Sequence, residues 1–135
     1  MGPESPKRVF VVDDEPDVVG LLQTILEREG LEVELATDGR SALHHILGDP
    51  PDLLVLDLMM PGLDGFELLK LIRLDPRCES TPVLIVSART APQDQLESLQ
   101  LGANAYLCKP FSPKDLVREV RALLGPGEEG GDDAE

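Results

Sequence analysis

Two aliphatic stretches of this chain run directly into acid: "RVFVVDD" (residues 8–14) ends in Asp13 and Asp14, and "DLLVLD" (52–57) ends in Asp57. A carboxylate at the end of so apolar a run is costly unless something compensates it. Two other apolar runs lead into complementary groups, "PVLIVS" into the hydroxyl of Ser87 and "AYLC" into the ammonium of Lys109. Two unit charges about 4 Å apart repel by about 4 kcal/mol at an effective dielectric near ~20. Three carboxylates in one crevice therefore call for a cation. A hard divalent ion with oxygen ligands answers that need, and Mg²⁺ does so with one or two carboxylates plus phosphate oxygens. Lys109 adds a compact charge suited to a phosphoryl oxygen, and Ser87 a hydroxyl donor. Metal, ammonium and hydroxyl around one carboxylate describe phosphoryl transfer with Asp57 as nucleophile.

Each piece alone has a plainer explanation. Acids at a helix start favour the helix dipole, which accounts for "DDEP". An aspartate after a strand can cap the next helix, and a serine or a Lys-Pro pair is ordinary. Their joint occurrence at the ends of alternating strands shifts the balance toward chemistry.

Those ends need a scaffold to bring them together. After Pro16, apolar residues Val18, Val19, Leu22, Ile25 and Leu26 recur at helical spacing up to Gly30, with Pro at the start and Gly at the stop. "LEVELA" (31–36) alternates, which predicts a half-exposed edge strand with Leu31, Val33 and Leu35 on its inner face. Helices are predicted over 39–47, 64–73, 91–101 and 113–124, and strands over 52–57, 82–87 and 105–108. The stripe of the 91–101 helix is thin, carried by Leu96 and Leu99. Gly65 is read as serving backbone geometry at the start of its helix. Five strand–helix units with short connections give an α/β fold, a parallel sheet covered on both faces. Ligands of such sheets bind beyond the carboxyl ends of the strands.

Composition narrows the function. The 135 residues fit one domain, and 41% hydrophobic content supports a packed core. Net charge is −14, from 26 acids and 12 bases. That repels phosphate backbones, and three Phe, one Tyr and no Trp leave little to stack on bases, so direct nucleic-acid binding is not expected. Cys78 and Cys108 read as reduced thiols of a cytoplasmic protein. No apolar stretch has the length of a membrane span, and no signal-peptide core is present at the start. Residues 1–6 are expected to be a flexible lead. From 125 to 135, "GPGEEGGDDAE" has five acids and no base, the composition of a disordered tail or linker stub.

The motifs "VVDDEP", "LLVLDLMMPGLDGFELL", "PVLIVSA" and "GANAYLCKPF" together resemble the receiver domain of two-component response regulators, over residues 7–124. The resemblance implies a doubly wound, flavodoxin-like sheet of five parallel strands in the order 2-1-3-4-5. It implies that Asp57 accepts a phosphoryl group, and that Asp14, Asp57 and the backbone carbonyl of Met59 hold Mg²⁺. Asp13 would act through a metal-bound water, and Ser87 and Lys109 would grip the phosphoryl oxygens. Tyr106 would swing inward as Ser87 moves, and the Lys109–Pro110 peptide would be cis. Met59 and Arg89, two residues beyond Asp57 and Ser87, would flank the path of an attacking water and tune dephosphorylation. The implied partners are a sensor histidine kinase or phosphotransfer protein and a downstream protein bound through residues 91–124. The chain would be a monomer or a phosphorylation-dependent dimer, and a signalling switch rather than an enzyme.

Other classes fit less well. A phosphatase with a strand-end aspartate needs a second acid two residues after its nucleophile, where this chain has Met59. A flavin binder of the same fold would want a hydroxyl- and Gly-rich loop after the first strand, where "DDEPD" would repel the flavin phosphate. Within the resemblance, a stand-alone receiver is preferred over one cut from a longer regulator or hybrid kinase.

Overall fold

The computed structural model describes residues 6–125. The expected flexible lead lies outside that range except at its last residue, and the acidic tail except at its first. Five strands form one parallel sheet in the order β2-β1-β3-β4-β5, and five helices alternate with them. The elements are β1 (Arg8–Val12), α1 (Pro16–Arg28), β2 (Glu32–Ala36), α2 (Gly39–Gly48), β3 (Leu53–Leu56) and α3 (Gly65–Arg73). They continue with β4 (Val83–Ser87), α4 (Pro92–Gln100), β5 (Ala105–Cys108) and α5 (Pro113–Leu124). A short 3₁₀ turn, Pro76–Cys78, which the sequence reading did not anticipate, separates α3 from β4.

The three central strands read as continuous apolar runs because both of their faces are covered. Phe10, Val12, Leu54, Leu56, Val83 and Ile85 face Ala42 and Ile46 of α2 and Leu68, Leu69 and Ile72 of α3. The intervening Val9, Val11, Leu53, Val55, Leu84 and Val86 face Leu22, Ile25 and Leu26 of α1 and Leu116 and Val120 of α5. Period-two alternation thus feeds two cores at once.

Helix ends follow local chemistry. Asp38 caps α2 by accepting from the Ser41 amide at 2.8 Å. Asp64 and Glu67 form a reciprocal capping box on α3, and Ser112 caps α5. By contrast the N-cap position of α4 is Ala91, which supplies no side-chain cap.

Two expectations about faces need correction. Leu35 does not join the inner face of β2; it is 37% exposed. It borders a groove with Pro16, Val19 and Gly20, and Gly20 has no side chain to cover it, with open space where a Cβ would be. On α4, Leu96 and Leu99 point outward, at 55% and 45% exposure, and the buried residue is Ser98. Its hydroxyl is satisfied by the Gln95 carbonyl at 2.9 Å, which lets a polar side chain take the inward position.

The backbone geometry that Gly65 serves at the start of α3 is not a left-handed turn. Its φ is not positive. It is required instead by close approach: a Cβ there would collide with the Asp57 carbonyl oxygen and lie 2.7 Å from Leu58 Cα. The Gly65 amide donates to the Leu58 carbonyl at 3.1 Å, so α3 starts pressed against the backbone that carries Asp57.

Candidate functional site

Strand order reverses between β1 and β3, so the connections leaving these two strands diverge and open a crevice at the carboxyl edge of the sheet. Register places the acids there. Val12 pairs with Leu56, and the Asp57 amide donates to the Val12 carbonyl at 2.9 Å, which sets Asp13 beside Asp57. On the other side Ser87 pairs with Cys108, and the Lys109 amide donates to the Ser87 carbonyl at 2.8 Å. The Lys109–Pro110 peptide is cis.

Asp13, Asp14 and Asp57 each present an oxygen, and these lie within 4.8 Å of one another. Asp13 and Asp57 are buried, at 1% and 4% exposure. Lys109 Nζ lies 2.7 Å from Asp13 Oδ2, 3.5 Å from Asp57 Oδ2 and 3.6 Å from Glu15 Oε1. The remaining oxygens of the buried pair are held by backbone: Asp13 Oδ1 accepts from the Glu15 amide at 3.0 Å and Asp57 Oδ1 from the Met59 amide at 3.2 Å. That leaves Asp57 Oδ2 as the oxygen facing the ammonium.

The electrostatics follow from this crowding. Burial pushes the Asp57 carboxyl up to about 6; the Met59 amide and Lys109 pull against that, and the Asp13 charge adds to it. Burial alone would lower Lys109, but the Asp13 hydrogen bond and the charges of Asp57, Asp13 and Glu15 win and raise it. One ammonium thus serves three acids and leaves the cluster net negative. An all-oxygen set of carboxylates with that surplus suits a hard divalent ion.

Ser87 is fully buried and its Oγ accepts from the Arg89 amide at 3.1 Å. Tyr106 is half-buried, and its hydroxyl donates to the Arg89 carbonyl at 2.8 Å. Burial raises the Tyr106 phenol. Met59 is 48% exposed. Arg89 donates from Nε to the Met59 sulfur and from Nη1 to Asp94 Oδ1 at 3.0 Å. Met59, Arg89, Met60, Pro61, Asp64 and Phe66 line a cavity of about 380 Å³ along the segment that follows Asp57.

The fold therefore brings Asp13, Asp14, Asp57 and Lys109 into one cluster, with Met59 bonded to Asp57 through its amide. Ser87, Arg89 and Tyr106 form an adjoining network. One participant escaped the sequence reading. Glu15 joins through Lys109, and its place directly after the acid pair was the available signal. Gly65 fixes the backbone of Asp57, and no signal in a single sequence separates that use from a turn.

The model of the response regulator receiver domain matches residues 9–121. The chain belongs to this family. The receiver domain is 43% identical over 122 residues to the alkaline phosphatase synthesis transcriptional regulatory protein PhoP of Bacillus subtilis, covering 90% of this chain and 50% of that protein. It spans about half the length of the curated relatives it matches. Among solved structures, a Vibrio cholerae chemotaxis response regulator superposes with a TM-score of 0.84 at 32% identity, over 88% of this chain and 99% of that one. The receiver domain of a Pseudomonas aeruginosa sensor histidine kinase, with a magnesium ion coordinated in its active-site cleft, gives 0.83 at 27% identity, over 90% and 99%. The receiver domain is thus a module of two-component signalling. None of its described helices is long and apolar enough to cross a membrane.

Proposed function

We propose that this receiver domain is a phosphorylation-activated switch that takes a phosphoryl group from a sensor-kinase phosphohistidine onto Asp57. The observation that carries the reading is the cluster itself: three carboxylates within 4.8 Å of one another, with one ammonium against two of them. Asp14, Asp57 and the Met59 carbonyl would hold Mg²⁺, with Asp13 acting through a bound water. The ion, when bound, offsets the crowded charge and polarises the phosphoryl group. Asp57 Oδ2 attacks phosphorus in line, the new P–O bond forming as the P–N bond of the donor breaks and the imidazole leaves. Lys109 and Ser87 hold phosphoryl oxygens. The chain assists this transfer to itself and acts on no other substrate.

Met59 and Arg89, in contact with each other, restrict the approach of hydrolytic water, so the acyl phosphate is long-lived. Movement of Ser87 toward the phosphoryl group, with Tyr106 following inward, alters the face built from residues 91–124, where a downstream protein or a second copy docks. A stand-alone switch is one form such a module takes. The half-length coverage of transcriptional regulators supports keeping beside it a receiver that works within a longer regulator.

Incubation with acetyl phosphate and Mg²⁺, followed by intact mass measurement, tests the reading. One phosphoryl group should be gained, and the gain should be abolished by EDTA and by Asp57→Ala. An unchanged mass, or a gain that survives Asp57→Ala, overturns it.

A further inference from the structure

Arg89 is a cation bonded to one carboxylate, Asp94, and packed on a sequence neighbour of a second, Asp57. Its guanidinium lies against Met59, the residue whose amide is bonded to Asp57. From there it reaches Asp94 Oδ1 at 3.0 Å, in the first turn of α4. Asp94 is well covered, at 17% side-chain exposure, while Arg89 keeps 41% and lines an open cavity along the segment that follows Asp57. The carboxylate that lines that cavity, Asp64, is committed to capping α3 through the Glu67 amide at 2.9 Å. Asp94 is the acid bonded to Arg89.

The helix on which Asp94 sits has little else to hold its start. It has no side-chain cap, and it buries only Ser98. Besides the Arg89–Asp94 pair, the side-chain bonds of its first turns are weak ones from Gln95, to the Thr90 carbonyl at 3.4 Å and to the Cys108 sulfur at 3.9 Å. The Arg89–Asp94 ion pair is therefore the one charged tie at the N-terminus of α4 among the described residues.

Resting on the reading of Asp57 as phosphoryl acceptor, we propose that the Arg89–Asp94 pair is an electrostatic latch that phosphorylation opens. A phosphoryl group replaces one carboxylate charge by about −1.5 to −2, so the site becomes up to about one unit more negative. Arg89, already against Met59, turns from Asp94 to that group. Asp94 loses its partner, and the N-terminus of α4 is released. Asp94 is thus a positioning residue: it touches no phosphoryl group and acts only by competing for Arg89.

A double-mutant cycle tests this, using Asp94→Asn, Arg89→Ala and their combination, each loaded with acetyl phosphate and Mg²⁺. Asp94→Asn should lengthen the phosphoryl half-life by about two- to fivefold, the scale of one partly exposed ion pair, because Arg89 is no longer contested. In the Arg89→Ala background the same substitution should change nothing. Hydrogen exchange supplies a second readout. Phosphorylation should speed amide exchange in the first turn of α4 in the native chain. Asp94→Asn should show that fast exchange before phosphorylation and little further change after it. A half-life effect of Asp94→Asn that persists with Arg89→Ala, or first-turn exchange indifferent to both substitutions, overturns the latch. Failure of the native chain to accept any phosphoryl group would instead sink the reading beneath it.

Discussion

At the scale of single residues, Asp57 is costly to the empty fold. Its carboxyl is raised from 3.8 to about 6, chiefly by burial. A raised acid gives stability that is full below the unfolded value and is lost as pH rises through the folded one. In EDTA, stability should therefore fall between pH 3.8 and about 6, and Asp57→Asn should flatten that part of the profile. Denaturant titrations across the window check it, and an equal slope in the variant would contradict it. Protons and Mg²⁺ also compete for this carboxylate, so metal affinity should weaken as pH drops below about 6. Met59 makes a separate prediction. An amide in place of its thioether can hydrogen-bond and orient an attacking water, so Met59→Asn should shorten the phosphoryl half-life several-fold. A time course of mass loss after removal of the donor reads this directly, and an unchanged half-life would remove Met59 from its gating role.

At the scale of elements, the corner between β3 and α3 fixes where Asp57 points. A methyl at Gly65 would meet the Asp57 carbonyl and Leu58 Cα, so Gly65→Ala should cost about 1–3 kcal/mol and slow phosphoryl acceptance as well. A variant of native stability and rate would show that the backbone there yields freely. Most elements were legible because their residues obey one dominant constraint. Strands β1, β3 and β4 are apolar on both faces, and α3 and α5 carry caps and stripes. The strand-end positions of Asp13, Asp57, Ser87 and Lys109 followed from those runs. What could not be read were the places where a neighbour decides. Leu35 is left open because Gly20 opposite it has no side chain, and Ser98 turns inward because a carbonyl within its own helix satisfies it. The ion pair of Arg89 with Asp94 joins a loop to a helix, and no periodicity foretells it.

At the scale of the whole molecule, the fold concentrates negative charge at one edge of its sheet and leaves that charge under-compensated. Any ion that relieves it binds the folded state alone, since the unfolded chain does not assemble the cluster. Mg²⁺ at tenfold excess over its dissociation constant should therefore add about 1.4 kcal/mol of stability, seen as a rise in melting temperature. Resemblance to a family supplied the strand order; the spacing of residues along a single chain could not, because parallel neighbours are set by crossover packing between distant segments. The central claim is that Asp13, Asp14 and Asp57 form one cation site rather than three separate acids. Calorimetric titration with Mg²⁺ tests it most directly, on the native chain and on Asp14→Asn and Asp57→Asn. One equivalent should bind to the native chain, and each substitution should weaken binding by at least about tenfold, the range seen when partners of a metal site are altered. Binding of equal strength in all three proteins, or no binding to the native chain, would contradict the account.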